Sequence, residues 1–266
     1  MRLKDKVALV TGAALGYKAG GPSIGSAIAF KLAAEGAAVV AADINGEMAR
    51  RTAETVRRNG GRAVAVTADA GRTEDVVRAV EAARTEFGSL HCLVNCAASY
   101  EGDIFKTVVE TPEADWLRIF NVNLHGYFRF AKHAVPLILE SGGGTIVNVS
   151  SMAAFTVVPG FAVYPVTKAA INGLTRVLAV DHAPRIRCNA VCPGFVKIAN
   201  SENDRSPEEL RRWHDGIAAG YPAKRLCTVE EIAAAVCFLA SDESSYVNGA
   251  CLEVDAGRSI RDFHDY

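Results

Sequence analysis

Short, almost uninterrupted apolar runs alternate with longer helical patterns along this chain, and that alternation limits the possible folds more sharply than any other property. The runs are VALVT from Val7, AAVVAAD from Ala37, AVAVTA from Ala63, LHCLVN from Leu90, GTIVNVS from Gly144, RIRCNAV from Arg185 and ACLEV from Ala250. Gly, Asn, Asp or Pro marks each change of pattern. Helical periodicity occupies the intervals near 24–35, 46–59, 73–87, 113–140, 164–182 and 228–240. Strands that are apolar on consecutive residues are buried on both faces, so helices must cover both sides of a parallel sheet. The expected architecture is α/β: one doubly wound domain with a seven-stranded parallel sheet.

At 266 residues with half of them apolar, the chain can bury a substantial core, and residues 1–266 read as a single domain. Acidic and basic residues nearly cancel, 30 against 29. No uniform field is left to hold a nucleic acid backbone or an anionic membrane. The N-terminal MRLKDKVALVTG lacks a signal peptide's long apolar stretch and cleavage pattern, and no later run reaches transmembrane length. Seven scattered cysteines fit reduced thiols better than a disulfide framework. A cytoplasmic location is expected. Six dispersed histidines show no ligand spacing, so no metal is expected.

The one strong shift in composition is polar, from Lys197 to Arg225, with its own helix starting near Pro207. It follows the sixth strand, over the carboxyl ends where open α/β sheets bind ligands. Two readings stand: a substrate lid, or a plain surface excursion.

After the first strand come Gly12 and Gly16, then Gly25 at the start of a helix. A Rossmann-like domain places a dinucleotide pyrophosphate at such a helix N-terminus, where glycine permits close approach. Asp43 ends the second strand. There its carboxylate can accept from adenosine ribose hydroxyls and repel a 2′-phosphate, favouring NAD; its bland alternative is a cap on the helix near Gly46. Asp69, closing the third strand, either holds the adenine edge or caps the helix at Thr73.

YPVTK sets Tyr164 and Lys168 on one helix face. Phenols ordinarily ionise near about pH 10, so a tyrosine serving as a base at neutrality needs a nearby cation, which a lysine one turn away supplies. Ser151, thirteen residues before Tyr164 at a strand end, can aim a hydroxyl at the same point. Pro165 fits only the first turn of a helix, so that helix begins close to Tyr164, with Tyr164 a candidate half-in cap residue.

In order along the chain, these elements resemble the short-chain dehydrogenase/reductase family over nearly the whole length. The glycine turn from Thr11, Asp43, Asp69, VNCAA at Asn95, NVNL at Asn123, VSS at Ser151, YPVTK at Tyr164, CPGFV at Pro193 and the segment ending VNGACLEVDAG carry the likeness. The resemblance implies a catalytic tetrad of Asn123, Ser151, Tyr164 and Lys168. Tyr164 would take the alcohol proton as hydride leaves for the nicotinamide, and Ser151 would hold the substrate oxygen. Lys168 would bind the nicotinamide ribose and assist the phenol, while Asn123 would hold a water linked to Lys168. Cofactor contacts implied are Gly12, Gly16, Gly25, Asp43, Asp69, Ala70, Asn95, Ala97, Tyr164, Lys168, Pro193, Gly194 and Val196.

The chain also departs from the family. Cys96 and Ala98 stand where a second asparagine and a glycine are usual, and Lys197 and Ile198 occupy the place of a customary threonine. Backbone atoms of Phe195 and Val196 could still hold the carboxamide. Eight residues separate Gly16 from Gly25, where the family has one, so residues 17–23 are an inserted loop. It forms either a flap, with Lys18 near the phosphates and Tyr17 over the cofactor, or a bulge into solvent.

The expected activity is interconversion of a secondary alcohol and its ketone with NAD. Pocket candidates Tyr100, Phe155, Pro159, Phe161, Phe195, Trp213 and Tyr221 suggest a cyclic or hydrophobic small-molecule substrate. The alternatives are an NADPH-dependent ketoacyl reductase and a non-catalytic NAD-binding sensor or scaffold. Apolar stretches in GYFRFAKHAVPLIL and INGLTRVLAV suggest a homodimer or homotetramer. The tail RSIRDFHDY either frays or packs across a subunit boundary through Phe263 and Tyr266.

Overall fold

Val7–Thr11 (β1) is buried at every residue, as its unbroken apolar run requires, and it lies at the centre of the sheet. A computed structural model describes residues 1–16, 21–100, 104–198 and 205–261. After β1 come Ile24–Ala34 (α1), Ala38–Asp43 (β2), Gly46–Arg58 (α2), Arg62–Thr67 (β3), Thr73–Phe87 (α3) and Cys92–Asn95 (β4). The second half contains Glu113–Asn123 (α4), His125–Glu140 (α5), Gly144–Val149 (β5), Val163–Asp181 (α6), Ile186–Pro193 (β6), Pro207–Ala219 (α7), Val229–Ala240 (α8) and Cys251–Val254 (β7).

All strand pairs are parallel, in the order β3-β2-β1-β4-β5-β6-β7. The expected seven-stranded, doubly wound sheet is present. Winding reverses between β1 and β4, which opens a crevice at their carboxyl ends. One face of the sheet packs on α1, α2 and α8, and the other on α3, α5 and α6. Leu9, Ile28, Leu32, Leu93 and Ile146 are fully buried; burying each such side chain contributes about 1.5–3 kcal/mol.

The periodicity of 113–140 reads as one helix, but the structure breaks it at Leu124, which ends α4 and precedes α5. Asn123 is the last residue of α4. Its side-chain amide is drawn out to the Ser99 backbone, accepting from the Ser99 N–H at 2.7 Å and donating to its carbonyl at 3.2 Å. Helix α6 starts at Val163, so Tyr164 lies inside the first turn rather than at the cap.

The inserted loop is closed at its base by a bridge between Leu15 and Pro22 and by a bond from the Gly16 N–H to the Gly21 carbonyl. Tyr17 and Lys18, which the flap reading needs, lie outside the described residues. So do Phe263 and Tyr266 of the tail. All seven cysteines are free thiols. Among the described residues, no helix is long and apolar enough to cross a membrane, and no cluster of His, Cys, Asp or Glu could hold a metal ion.

Candidate active site

The turn after β1 is built by crossed hydrogen bonds. Thr11 Oγ1 accepts from the Cys96 and Ala97 N–H groups at 2.9 and 3.1 Å, tying β1 to the end of β4 across the crevice. Gly12, at φ +68°, lies so close to that end that a Cβ would meet the Ala97 Cα at 2.9 Å. A Cβ on Gly25 would meet the Gly12 carbonyl oxygen at 2.1 Å. Only glycines let the N-terminus of α1 approach the turn this closely. Ser23 caps α1 in a reciprocal capping box with Ser26, and its hydroxyl donates to the Ala14 carbonyl at 2.7 Å. The cap therefore holds the helix N-terminus, an anion-binding element, against the turn.

Asp43 is not the cap of α2; Asn45 is, accepting from the Met48 N–H at 3.1 Å. The Asp43 carboxylate instead accepts from Ala14 N–H at 3.0 Å and Asn45 N–H at 2.9 Å, beside the glycine turn. Burial raises its pKa, and the backbone donors oppose that rise. Asp69 likewise does not cap α3, whose cap position is Arg72; it closes a local turn by accepting from the Gly71 N–H at 2.7 Å. Ala70, buried beside it, gives its carbonyl to Arg129 at 3.3 Å.

Asn95 is fully buried, and its side chain donates to Asn148 Oδ1 at 2.9 Å, so this amide ties β4 to β5. The Asn95 Oδ1 is buried without a hydrogen-bond partner among the described residues. Across the crevice, the Gly194 N–H donates to the Val254 carbonyl at 3.0 Å. The Phe195 N–H donates to the Tyr221 hydroxyl at 2.6 Å, and its carbonyl accepts from the Cys227 N–H at 3.2 Å. Phe195 is thus committed elsewhere and drops out as a carboxamide partner. Val196 pairs with Cys227 in a parallel bridge whose hydrogen bonds run through Phe195 and Lys197, so its own N–H and carbonyl face the other way. A glycine cradle at a helix N-terminus, a strand-end carboxylate and the free N–H and carbonyl of Val196 fit a nicotinamide dinucleotide.

The chemistry end forms where β5, α5 and α6 meet. Lys168 is buried, and its Nζ donates to the Val149 carbonyl at 2.9 Å. It lies 5.4 Å from the centre of the Tyr164 ring and 5.5 Å from that of Tyr127. The Tyr127 hydroxyl donates to the same Val149 carbonyl at 2.9 Å. Tyr127 is a site neighbour that sequence reading placed only in an apolar helical stretch. The Ser150 hydroxyl donates to the Lys168 carbonyl at 3.0 Å, fastening the end of β5 to α6. Ser151 follows in extended conformation, accepts from the Ala153 N–H at 3.1 Å and starts a 3-10 turn, Met152–Ala154, that packs on α6. Its hydroxyl proton remains available to a ligand.

Tyr164 is in contact with two rings. Tyr100 stacks on it with centroids 5.3 Å apart and Phe161 at 5.2 Å, Phe161 itself stacking on Phe105. The Tyr100 hydroxyl donates to the Tyr164 hydroxyl at 3.2 Å. Of the other expected pocket residues, Phe155 and Pro159 are exposed. The Phe195 ring meets Trp213 of α7 edge-on at 5.2 Å. Tyr221 is buried and serves as a joint, donating to Met152 Sδ at 3.3 Å while accepting from Phe195.

This fold and site define a short-chain dehydrogenase/reductase. The family model described as Enoyl-(Acyl carrier protein) reductase matches residues 19–259, and the chain belongs to that family as an oxidoreductase. It is similar to 2-(S)-hydroxypropyl-CoM dehydrogenase 3 of Xanthobacter autotrophicus, 39% identical over 263 residues covering 96% of this chain and 97% of that one. Cyclohexanol dehydrogenase of an Acinetobacter species is 36% identical over 258 residues, covering 96% and 95%. Among solved structures, the ligand-free aldohexose dehydrogenase of Thermoplasma acidophilum matches with a TM-score of 0.87 and 32% identity, covering 99% of this chain and 98% of that one.

Proposed function

We propose that this protein is an NAD-dependent dehydrogenase that interconverts a cyclic or hydrophobic secondary alcohol and its ketone. The observation that carries the reading is the buried Lys168 ammonium 5.4 Å from the Tyr164 ring, at the mouth of the glycine crevice. Gly12, Gly16 and Gly25 hold the pyrophosphate; Asp43 accepts from the adenosine ribose; Asp69 and Ala70 border the adenine. Asn95, Ala97, Pro193, Gly194 and Val196 line the nicotinamide side, with the Val196 amide and carbonyl facing the carboxamide. Bound NAD supplies the two-electron acceptor.

Tyr164 removes the hydroxyl proton of the alcohol in oxidation and returns one to the ketone oxygen in reduction. Ser151 donates to that oxygen and fixes it beside Tyr164. Lys168 holds the nicotinamide ribose and favours negative charge on the neighbouring phenol oxygen. The Asn123 side chain is spent on Ser99, so a water serving Lys168 would bind the Asn123 backbone. Phe161, Phe155 and Tyr100 give the pocket its apolar character, and α7, carrying Trp213, is the described helix of a substrate lid at 197–225, of which residues 199–204 lie outside the described residues. Exposed Phe128, Val166, Val177 and Val180 on α5 and α6 favour a homodimer or homotetramer. Seven free thiols suit the cytoplasm.

A panel of cyclohexanol, 2-butanol and 1-phenylethanol, assayed with NAD and with NADP by reduced-nicotinamide absorbance, tests the reading. Turnover with NAD and preference for the cyclic or aromatic alcohol support it. Reduction of short ketones with NADPH alone would favour the ketoacyl-reductase alternative. Dinucleotide binding without turnover of any alcohol would favour the sensor.

A further inference from the structure

A catalytic tyrosine must change charge in every turnover, so whatever touches its oxygen governs how easily it does so. Among the described residues, the hydroxyl partner of Tyr164 is not Ser151 or Lys168 but Tyr100, at 3.2 Å. Lys168 directs its Nζ to the Val149 carbonyl. Its attraction for the phenol oxygen therefore acts through space, without a direct hydrogen bond.

Resting on the dehydrogenase reading above, we propose that Tyr100 is a positioning residue for proton transfer: it donates to the Tyr164 oxygen, fixes its direction and eases its loss of a proton. A donor aimed at an oxygen that becomes negative favours the charged form, and bonds to charged groups are about twice as strong as neutral ones.

Three features equip Tyr100 for this. Its ring is stacked on Tyr164 at an interplanar angle of 30°, and Phe161 also stacks on Tyr164 at 17°, so two ring contacts restrict the direction of the Tyr164 ring and its hydroxyl. The preceding residue, Ser99, is held at both backbone polar atoms by the Asn123 side chain, which anchors the loop that delivers Tyr100. Finally, the residue as a whole is 54% exposed, and its hydroxyl is bonded to Tyr164. Burial and the neighbouring phenol push the Tyr100 pKa well above the ordinary value, which keeps Tyr100 a donor while Tyr164 acts. The other titratable or charged groups facing the pair are Lys168 on α6, Tyr127 on α5 and Cys96 after β4. Burial raises the pKa of Tyr127 and pushes that of Cys96 up to about 12, so both stay neutral.

Tyr100→Phe keeps the stacked ring and removes only the hydroxyl. The test compares kcat and kcat/KM between pH 5 and 10, at saturating NAD, using the fastest alcohol of the cyclohexanol, 2-butanol and 1-phenylethanol panel. Tyr164→Phe is carried alongside. At neutral pH, Tyr100→Phe should lower kcat for oxidation by about tenfold and move the acid limb of the profile about one unit higher, with wild-type rates approached at alkaline pH. A limb that stays in place, with only KM altered, would reduce Tyr100 to a pocket wall and overturn the proposal. If Tyr164→Phe itself retains wild-type turnover, or if wild-type protein oxidises none of the alcohols, the dehydrogenase reading falls and this proposal with it. A dead Tyr164→Phe beside an unshifted Tyr100→Phe refutes the Tyr100 role alone.

Discussion

Lys168 and Tyr164 stand one turn apart on α6, with the Lys168 Nζ 5.4 Å from the centre of the Tyr164 ring and bonded to the Val149 carbonyl at 2.9 Å. The strand end thus fixes the ammonium beside the Tyr164 ring.

Replacing Lys168 with Met removes that charge while filling similar volume. The Val149 carbonyl keeps the Tyr127 hydroxyl as a partner at 2.9 Å, so no buried acceptor is orphaned. Steady-state assays with NAD should show kcat reduced by about 10² or more, the range set by loss of acid-base assistance, with a thermal midpoint close to the wild type.

Cofactor choice should turn on Asp43. Asp43→Ser removes the negative charge that opposes a 2′-phosphate and one acceptor from the glycine turn. The expected result is about a tenfold loss of kcat/KM for NAD and a gain for NADP, equivalent to about 1.4 kcal/mol. Equal losses with both cofactors would mean that Asp43 serves only the turn.

Two glycines make a matched pair. Ala at Gly25 would drive its Cβ to 2.1 Å from the Gly12 carbonyl oxygen, whereas nothing lies within 4 Å of a Cβ at Gly216 in α7. Gly25→Ala should destabilise the fold by about 1–3 kcal/mol and weaken NAD binding, as overpacking does elsewhere. Gly216→Ala should raise stability by up to about 1 kcal/mol through helix propensity. Denaturant titrations of the two variants check both signs.

Acid sensitivity has a local source at the N-terminus. Arg2 and Lys31, each 2.9 Å from Glu35, hold its carboxyl at about 2, below the ordinary 4.5. A carboxyl lowered on folding stabilises above its unfolded value, and that stabilisation is lost as pH falls toward the folded one. The difference in thermal midpoint between wild type and Glu35→Gln should therefore be present at pH 6 and shrink steadily below about pH 4.5.

The sheet was legible because each buried parallel strand writes its position as an unbroken apolar run. The carbon chemistry of the site was legible too, since a helix places Tyr164 and Lys168 on one face at a spacing of four. What sequence could not display were contacts made across elements. Leu124 interrupts a continuous periodicity, and the Asn123 side chain before it bonds a loop 24 residues earlier. Tyr127 reads as core, yet it shares a carbonyl with Lys168. The Phe195 N–H, open to the carboxamide in the sequence, is taken by the Tyr221 hydroxyl from beyond α7. Tyr100 reads in the sequence only as a candidate pocket residue. Its hydroxyl contact depends on a loop path that no local pattern encodes.

Tyr164→Phe tests the central claim most directly, measured as kcat with NAD and the fastest alcohol, together with the NAD dissociation constant of the same preparation. Loss of turnover by at least about 10³-fold, with NAD binding within a few fold of wild type, is the predicted result for removal of the proton-transfer group. A variant that binds NAD and still turns over at a tenth of the wild-type rate or better would contradict it.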